Sequence, residues 1–102
     1  MIGVFVTFQY DDDDFDRARI EKVAAESRPM FEKMAGLRSK AFTFDETARR
    51  ATNFYVWDSE AAARGFFSPE LSELVTGLYG VAPTIDYVEI AELVENAGGE
   101  GA

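Results

Sequence analysis

The sequence predicts an α+β fold whose elements follow one another in the order strand, helix, strand, strand, helix pair, strand. Several segments alternate between two faces with the period of two that strands show. A long amphipathic helical pattern follows the first of these segments, and two short capped helices precede the last. With 102 residues, the chain is long enough for one modest core. We therefore expect a single domain over residues 1–95 and a flexible tail over residues 96–102.

The first strand is predicted over Ile2–Gln9, where apolar residues stand on both faces. Such a pattern is typical of a strand that is covered on both sides. The four aspartates that follow, residues 11–14, lack the glycine and the spaced ligands of a calcium loop. We interpret them as a helix N-terminus, where an aspartate caps the helix and negative charge meets the positive end of its dipole.

An amphipathic helix is predicted from about Phe15, because apolar residues recur at helical spacing with charged residues between them. Pro29 lies inside this pattern. Since proline removes a backbone donor and disfavours helical geometry at Arg28, we expect a kink or a break there. Gly36 is expected to end the helix.

Two strands follow, over Leu37–Phe44 and over the run Ala51–Trp57, joined by a short polar connection that is typical of a hairpin. One face of the first of these strands is predicted to carry Arg38, Lys40, Phe42 and Phe44. One face of the second gathers an amide, a phenol and the only indole of the chain, from Asn53, Tyr55 and Trp57. A small-molecule site is therefore expected first on that face.

A short alanine-rich helix is predicted over Glu60–Phe66, with Asp58 or Ser59 as its cap. The next helix is expected to begin at Pro69, behind a serine cap, and to end at Gly80. Both signals are local, since they depend on the residue types at the helix ends.

The last strand is predicted over Thr84–Val94. The complete βαββαβ order is that of the split-βαβ, or ferredoxin-like, fold, with a four-stranded antiparallel sheet and helices on one face. Helices cover only one face of the sheet, yet two sets of bulky side chains need to be buried. One set is Phe5, Phe42, Phe44, Tyr55 and Trp57, and the other is Val6, Phe8 and Phe54. We therefore predict a homodimer that packs sheet to sheet.

The composition excludes several classes of function. A formal net charge of −9 opposes binding to nucleic-acid phosphates and to anionic membranes. No apolar run reaches the roughly 18 residues of a membrane-spanning helix, and the N-terminal residues lack the basic region of a signal peptide. The expected location is the cytoplasm.

Cysteine and histidine are both absent. Disulfides, thiolate nucleophiles and thiolate-bound zinc are therefore excluded, as are the usual general base near neutral pH and the usual haem-iron ligand. No pattern resembles a metal cluster, a phosphate-binding glycine loop or a nucleophile elbow. Chemistry must rely on carboxylates, Tyr, Asn, Trp, Lys, Arg, water or an imported cofactor.

Three blocks of sequence, at residues 36–42, 53–63 and 79–83, resemble a known family in their order and spacing. The family is that of the dimeric α+β barrels, which includes the antibiotic-biosynthesis monooxygenases and related small monooxygenase-like proteins. The resemblance extends from Ile2 to Val94. It implies a ferredoxin-like dimeric α+β barrel and a monooxygenase activity on a planar aromatic or polyketide-like substrate, with molecular oxygen as co-substrate and no cofactor.

In the cofactor-free oxygenases of this family, an Asn and a Trp four residues apart on one strand bind the substrate and stabilise a reduced-oxygen intermediate. Asn53 and Trp57 match that spacing. The resemblance implies that Asn53 hydrogen-bonds a substrate oxygen or a peroxy group, and that Trp57 stacks on the substrate and donates its N–H. An electron-rich phenolate can itself pass an electron to oxygen, so no metal is required. Haem degraders of the superfamily use a histidine that this chain lacks.

Several other residues are candidates for the site, and each could instead have a purely structural role. Tyr55 shares the face of Asn53 and could donate a proton, while Arg38 and Lys40 could bind an enolate or phenolate or simply cover apolar surface with their stems. Further candidates for substrate binding are Gln9, Tyr79 and Tyr87. Asn53 could instead bond to neighbouring backbone, and Trp57 could be core packing.

Two other functions remain open from the sequence. The protein could be a non-catalytic dimer that sequesters a hydrophobic or aromatic small molecule, or whose pocket is filled by Phe31, Phe66 or Phe67. It could also be an isomerase or cyclase that uses Tyr, Arg or a carboxylate as acid or base and needs no oxygen.

Overall fold

The computed structural model describes residues 1–11 and 13–96. The strands are β1 (Ile2–Gln9), β2 (Leu37–Asp45), β3 (Arg50–Trp57) and β4 (Thr84–Glu89). The helices are α1 (Arg17–Phe31), α2 (Glu60–Phe66) and α3 (Pro69–Tyr79). This order confirms the predicted α+β class, including the pair of helices between β3 and β4.

The four strands form one antiparallel sheet in the order β2-β3-β1-β4, which confirms the ferredoxin-like arrangement. β1 and β3 occupy the centre, and their residues on the helix side are buried: Ile2, Val4, Val6, Phe8, Ala51, Asn53, Tyr55 and Trp57. The core lies between this helix face of the sheet and the helices. Successive side chains of a strand point to opposite faces of the sheet. Every second residue of β1 and β3 therefore faces the helices, and these residues form nearly all of the core that the sheet contributes.

The cap of α1 is Asp16, whose side chain accepts a hydrogen bond from the backbone N–H of Arg19 at 3.2 Å. The prediction that an aspartate of the run 11–14 caps this helix is wrong. The N–H of Asp14 instead bonds to the carbonyl of Asp11 at 3.1 Å, within a turn. Phe15, between this turn and the helix, packs against the core with its ring 5.8 Å from that of Tyr10.

α1 runs through Pro29 without a break and ends at Phe31, well before Gly36. Pro29 lacks the N–H that would bond to the carbonyl of residue 25, but only two helical residues follow it, so the lost bond lies at the end of the helix. A connection with left-handed residues at Lys33 (φ 63°) and Gly36 (φ 83°) then leads into β2. Gly36 must be small, since a Cβ atom there would lie 3.0 Å from the Cβ of Ala62. It therefore shapes the entry to β2 and does not cap α1.

β2 begins with a β-bulge. Leu37 pairs with Trp57, but the next paired residue is Ser39, so Arg38 is an additional residue in the strand. Because of the bulge, Leu37 lies on the helix face together with Lys40, Phe42 and Phe44. Arg38 is left exposed. The prediction that Arg38 shares a face with Lys40 is wrong, because a bulge shifts the alternation of side chains by one residue.

β4 ends at Glu89 and does not extend to Val94 as predicted. Glu89 pairs with Ile2, the first residue of β1, so the neighbouring strand ends at the same level. Ile90 makes one further bond, from its N–H to the carbonyl of the first residue at 3.3 Å. Of the predicted tail, residues 97–102 lie outside the described part of the chain.

The face of the sheet opposite the helices, here called the open face, carries fewer aromatic residues than predicted. The strand register places on the helix face Phe42, Phe44, Tyr55 and Trp57, together with Val6 and Phe8. Phe5 and Phe54 remain on the open face, with ring centroids 4.6 Å apart. Phe5 and Val88 are 38% and 39% exposed. The open face thus has a small apolar centre.

Candidate functional site

A buried hydrogen-bond network joins the sheet to α3. Asn53 of β3 is only 4% exposed, and its Nδ2 donates to the hydroxyl of Tyr79 at 3.0 Å. The side chain of Asn53 is also hydrogen-bonded to the hydroxyl of Tyr55. The carbonyl of Tyr79 in turn accepts from the hydroxyl of Tyr10 at 2.8 Å. The amide of Asn53 is therefore held by tyrosine hydroxyls and not by neighbouring backbone.

The three tyrosines of this network are protonated at neutral pH. Burial raises the pKa of Tyr55 well above its usual value of 10, and the nearby Tyr79 raises it further. Burial likewise raises the pKa of Tyr79 and of Tyr10. Hydrogen bonds with Asn53 oppose the shift in Tyr55 and Tyr79, but they are the smaller effect. These hydroxyls can donate hydrogen bonds and cannot serve as bases near pH 7.

Trp57, at the end of β3, is 1% exposed and packs among aromatic rings. Its ring centroid lies 6.1 Å from that of Tyr55, 5.2 Å from Phe66 and 6.0 Å from Phe67. Its buried Nε1–H has no hydrogen-bond partner among the described residues. An unpaired buried donor costs about 1–3 kcal/mol. Core packing thus accounts for the ring of Trp57 but not for its polar atom.

Lys40 of β2 places its ammonium among three aromatic rings. Its Nζ lies 3.3 Å from the ring centroid of Phe31, 4.1 Å from that of Phe42 and 4.3 Å from that of Tyr55. None of the ion pairs found within residues 1–11 and 13–96 includes Lys40. Burial lowers the pKa of Lys40 from 10.5 to about 7. A large fraction of this side chain is therefore a neutral amine at physiological pH.

Two spaces meet at Lys40. The inner cavity, of about 40 Å³, lies between α1, α3 and the sheet, and it is bordered by Asn53, Tyr55 and Tyr79 among apolar side chains. The outer groove, of about 460 Å³, lies beside β2 and the end of α1. Three residues border both spaces and are called here the wall residues: Phe31, Lys40 and Phe42.

The two spaces differ in what they can hold. A cavity of this kind needs about 10–15 Å³ to hold one water molecule, so the inner cavity has room for a few waters and none for an aromatic ring. Small-molecule sites usually measure about 300–1,000 Å³, a range that includes the outer groove. Phe31 and Phe66 pack on Tyr55, with ring centroids 6.0 Å from the tyrosine ring in both cases. An aromatic ligand thus fits the outer groove but not the inner cavity that Asn53 borders.

Arg38 borders the outer groove with Lys40, although the two belong to different faces of β2. Its guanidinium pairs with the carboxylate of Glu95 at 2.8 Å and with that of Asp58 at 3.9 Å. All three side chains are largely exposed, so each pair contributes little to stability. Arg38 can therefore exchange a partner for an anionic ligand at small cost.

Trp57, described above, borders neither space, and neither do two predicted binding residues. Gln9 is exposed, and its amide donates to the carbonyls of Ala48 at 2.9 Å and Arg49 at 3.1 Å, which ties β1 to the β2–β3 connection. Tyr87 of β4 is on the helix face, with its ring 4.2 Å from the guanidinium carbon of Arg64. Both side chains have structural contacts that account for them.

Sequence reasoning missed two features of the site. Tyr10 anchors the end of α3 through Tyr79, and only its position directly after β1 could have suggested this. The pairing of Lys40 with Tyr55 across β2 and β3 was not predicted, because it depends on the strand register. Neither feature leaves a local pattern in the sequence.

Within residues 1–11 and 13–96, no helix is long and apolar enough to cross a membrane. Over the same residues, no three acidic side chains converge in a way that could hold a metal ion.

The structure is similar to solved oxygenase structures. A monooxygenase from the gene ActVA-Orf6 of Streptomyces coelicolor, in complex with nanaomycin D, matches with a TM-score of 0.68 and 18% identity, over 94% of this chain and 92% of that one. SnoaB, a cofactor-independent oxygenase from Streptomyces nogalater, matches with a TM-score of 0.64 and 14% identity, over 93% and 97%. The chain has the fold of the antibiotic-biosynthesis monooxygenases.

That fold is not restricted to proteins of known activity. NE2512 of Nitrosomonas europaea, a protein of unknown function, matches with a TM-score of 0.71 and 16% identity, over 95% of both chains. No protein-family model and no curated protein matches the sequence. The resemblance to the monooxygenase fold is confirmed, whereas the chemistry must be argued from the residues of the site.

Proposed function

We propose that the protein is a cytoplasmic, cofactor-independent monooxygenase that oxidises a planar aromatic, polyketide-like substrate with molecular oxygen. The observation that carries this proposal is the buried amide of Asn53, which tyrosine hydroxyls hold behind a wall of aromatic side chains. The fold shared with SnoaB, a cofactor-independent oxygenase, supports it. So does the fold shared with the monooxygenase that binds nanaomycin D.

The reaction needs no metal or flavin when the substrate supplies both electrons. A phenolate or hydroquinone anion passes an electron to oxygen, and the two radicals combine to form a carbon–oxygen bond. The peroxide takes up a proton, and the carbon that bears it then loses its hydrogen as the O–O bond breaks. The outer oxygen leaves as water, and a carbonyl group remains on the substrate. Negative charge develops on oxygen, and fixed neutral donors in a dry site stabilise it. Asn53, which borders the inner cavity, supplies one such donor through its amide Nδ2–H₂. The unpaired indole Nε1–H of Trp57, which borders neither space, is proposed as a second donor that the substrate reaches once the wall residues have moved.

The substrate is proposed to enter through the outer groove and to displace the ring of Phe31. Phe31 is the last residue of α1 and is half-buried, with ring contacts but no side-chain hydrogen bond to break. Its movement would join the outer groove to the inner cavity and bring Asn53 within reach of the substrate. Once the aromatic substrate takes the place of the Phe31 ring, it fills the opening, and water is excluded from the site again.

Replacing Trp57 with phenylalanine tests the indole donor. Because Nε1 has no partner in the described structure, the substitution breaks no hydrogen bond of the resting protein. We expect oxygen uptake with hydroquinone substrates to fall by about 10²-fold, the usual effect of removing one such donor. Oxygen electrode measurements under saturating substrate would quantify this loss.

The control is Phe67→Leu, which also reduces an aromatic side chain in contact with Trp57 but removes no donor. It should lower stability without a comparable loss of oxygen uptake. Equal turnover by wild type and Trp57→Phe would remove the indole from the mechanism.

One observation favours a second function, that of a non-catalytic dimer that binds a hydrophobic metabolite or none. Phe31 and Phe66 already occupy much of the space above Tyr55, with ring centroids 6.0 Å from the tyrosine ring in both cases. Binding of aromatic ligands without oxygen uptake would support this function. Conversion of the ligand in the absence of oxygen would indicate an isomerase or cyclase.

The homodimer is also proposed to form through the open face. Phe5 and Val88 are partly exposed there beside Phe54, and a stable interface usually buries at least about 1,000 Å². We expect Phe5→Glu to shift the protein from dimer to monomer in sedimentation velocity at micromolar concentration. Leu74→Glu, on the 57% exposed side chain of α3, is the matched control and should leave the dimer intact. A monomeric wild type would contradict this proposal.

A further inference from the structure

The proposed reaction begins with an anion, so a base is needed near the bound substrate. Histidine is absent from the chain. Among the described side chains that border the inner cavity, the titratable ones are Lys40, Tyr55 and Tyr79. Both tyrosines are hydrogen-bonded to Asn53 and keep their protons, as argued above. Of these three, Lys40 is left as the side chain that can accept a proton. The carboxylate of Glu32, which borders the outer groove, is exposed and paired with Arg28 at 3.7 Å.

The surroundings of Lys40 suit both of its protonation states. The neutral amine is favoured by burial among hydrocarbon rings, since an ammonium loses its hydration there. The ammonium, once formed, is attracted by the faces of Phe31, Phe42 and Tyr55, each contact being of the cation–π kind. Because Lys40 is a wall residue, it borders the outer groove where a substrate would bind. The side chain can therefore take up a proton and later release it.

The charged groups around Lys40 favour an anionic product of proton transfer. The titratable or charged groups that border the two spaces are Arg28 on α1, Glu32 and Lys33 just after it, Arg38 on β2, Tyr55 on β3 and Tyr79 on α3. The one carboxylate among them, that of Glu32, lies 3.7 Å from the guanidinium of Arg28 and makes no ion pair with Lys40. Three cations, Arg28, Lys33 and Arg38, thus border the outer groove, with Arg28 paired to Glu32 and Arg38 paired to Glu95 and Asp58. These pairs are exposed and weak, so an anion that forms in the groove can replace one of the carboxylates at small cost.

We propose that Lys40 is the general base of the reaction and that it acts on a phenol or hydroquinone bound in the outer groove. This role rests on the proposed monooxygenase function. The phenolic O–H bond breaks and an N–H bond forms on Nζ, so a proton moves and no electron does. The phenolate forms beside Arg38 in the outer groove, before the ring of Phe31 is displaced, and the ammonium then remains against the rings of Phe42 and Tyr55. Reaction of the phenolate with oxygen follows as described above.

The protonation state of Lys40 can be measured without any substrate. The chain contains three lysines, Lys22, Lys33 and Lys40, so the ε-carbon signals of ¹³C-labelled lysine give three resonances at most. We expect one of them to titrate near pH 7 and to be missing from the Lys40→Met variant. Titration of all three resonances only above pH 9 would overturn the role of Lys40, even if the wild type consumes oxygen.

The second arm measures activity against pH. In the wild type, kcat/KM for oxygen uptake with a phenol should rise through pH 7, as Lys40 loses its proton. Lys40→Met should be slower by about 10²-fold or more at pH 7, and it should recover only as the phenol itself ionises near pH 10. Lys22→Met is the control, because that exposed lysine on α1 borders neither space.

The outcomes separate the two proposals. Identical pH profiles for wild type and Lys40→Met would show that Lys40 is not the base, while oxygen uptake would still support the monooxygenase. A wild type that consumes no oxygen with any phenol or hydroquinone would overturn the proposed function and with it this role, whatever the lysine titration gives.

Discussion

Replacing Asn53 with alanine is expected to lower the rate of oxygen uptake by about 10²–10³-fold, the range found when one donor to a developing oxyanion is removed. The physical reason is the position of its amide. Asn53 is 4% exposed, and its Nδ2 is already oriented by a hydrogen bond to the hydroxyl of Tyr79. A donor that is fixed before the reaction stabilises the transition state without further reorganisation. Steady-state oxygen uptake at saturating hydroquinone measures the effect.

The same substitution should also lower the free energy of unfolding, by about 1–3 kcal/mol, because the buried hydroxyls of Tyr55 and Tyr79 lose a partner. Tyr79→Phe is the matched variant for this structural part. It loses the same hydrogen bond but keeps the ring, which stacks on Phe8 at a centroid distance of 3.8 Å. We expect similar destabilisation in both variants and a clearly larger loss of oxygen uptake in Asn53→Ala. Equal losses of uptake would indicate that Asn53 only holds α3 on the sheet.

Local signals in the sequence predicted much of the fold. The alternation of β1 and the caps of α2 and α3 depend on neighbouring residues, and these elements lie where the sequence placed them. Ser59 and Ser68 cap the two helices, and Gly80 ends α3 in the left-handed conformation (φ 86°). Each of these signals acts within one turn of helix.

Some predictions were wrong because the boundary or register of a strand depends on pairing with residues far away in the sequence. β4 ends at Glu89 because β1 begins at Ile2, and these two strand ends are far apart along the chain. The bulge at Arg38 depends on the pairing of β2 with β3, and the residue types at that position do not predict it. Tertiary packing decided both. The run of aspartates instead forms a turn, and the cap lies just after it, at Asp16.

The candidate site was predicted in part for the same reason. Alternation along β3 placed Asn53, Tyr55 and Trp57 on one face, and the structure has them on the helix face. The environment of Lys40 was not predictable, since it requires the register between β2 and β3 and the early end of α1 at Phe31. A charged residue on an edge strand usually reaches water, so its burial here is a property of the assembled core.

Lys40→Met is expected to stabilise the protein, most strongly at acidic and neutral pH. In the folded protein the pKa of Lys40 is about 7, against 10.5 for an unperturbed lysine. The unfolded chain therefore binds the proton more tightly, and at or below pH 7 folding must overcome this difference. One pKa unit corresponds to 1.36 kcal/mol, so the full effect is at most about 5 kcal/mol. Attraction of the ammonium to the rings is lost in the variant, and we expect a gain of about 2–4 kcal/mol at pH 6.

The gain should shrink as the pH rises through the window between pH 7 and 10.5. There the unfolded chain still holds the proton that the folded protein has released, so the stability of the wild type rises with pH relative to the variant. Urea unfolding of both proteins at pH 6 and pH 9.5, at one fixed protein concentration, measures the change, and Lys22→Met should show no such trend. A constant difference between wild type and Lys40→Met would exclude a depressed pKa. A large gain at pH 6 together with lost oxygen uptake would mean that the chain retains a destabilising amine for its chemistry.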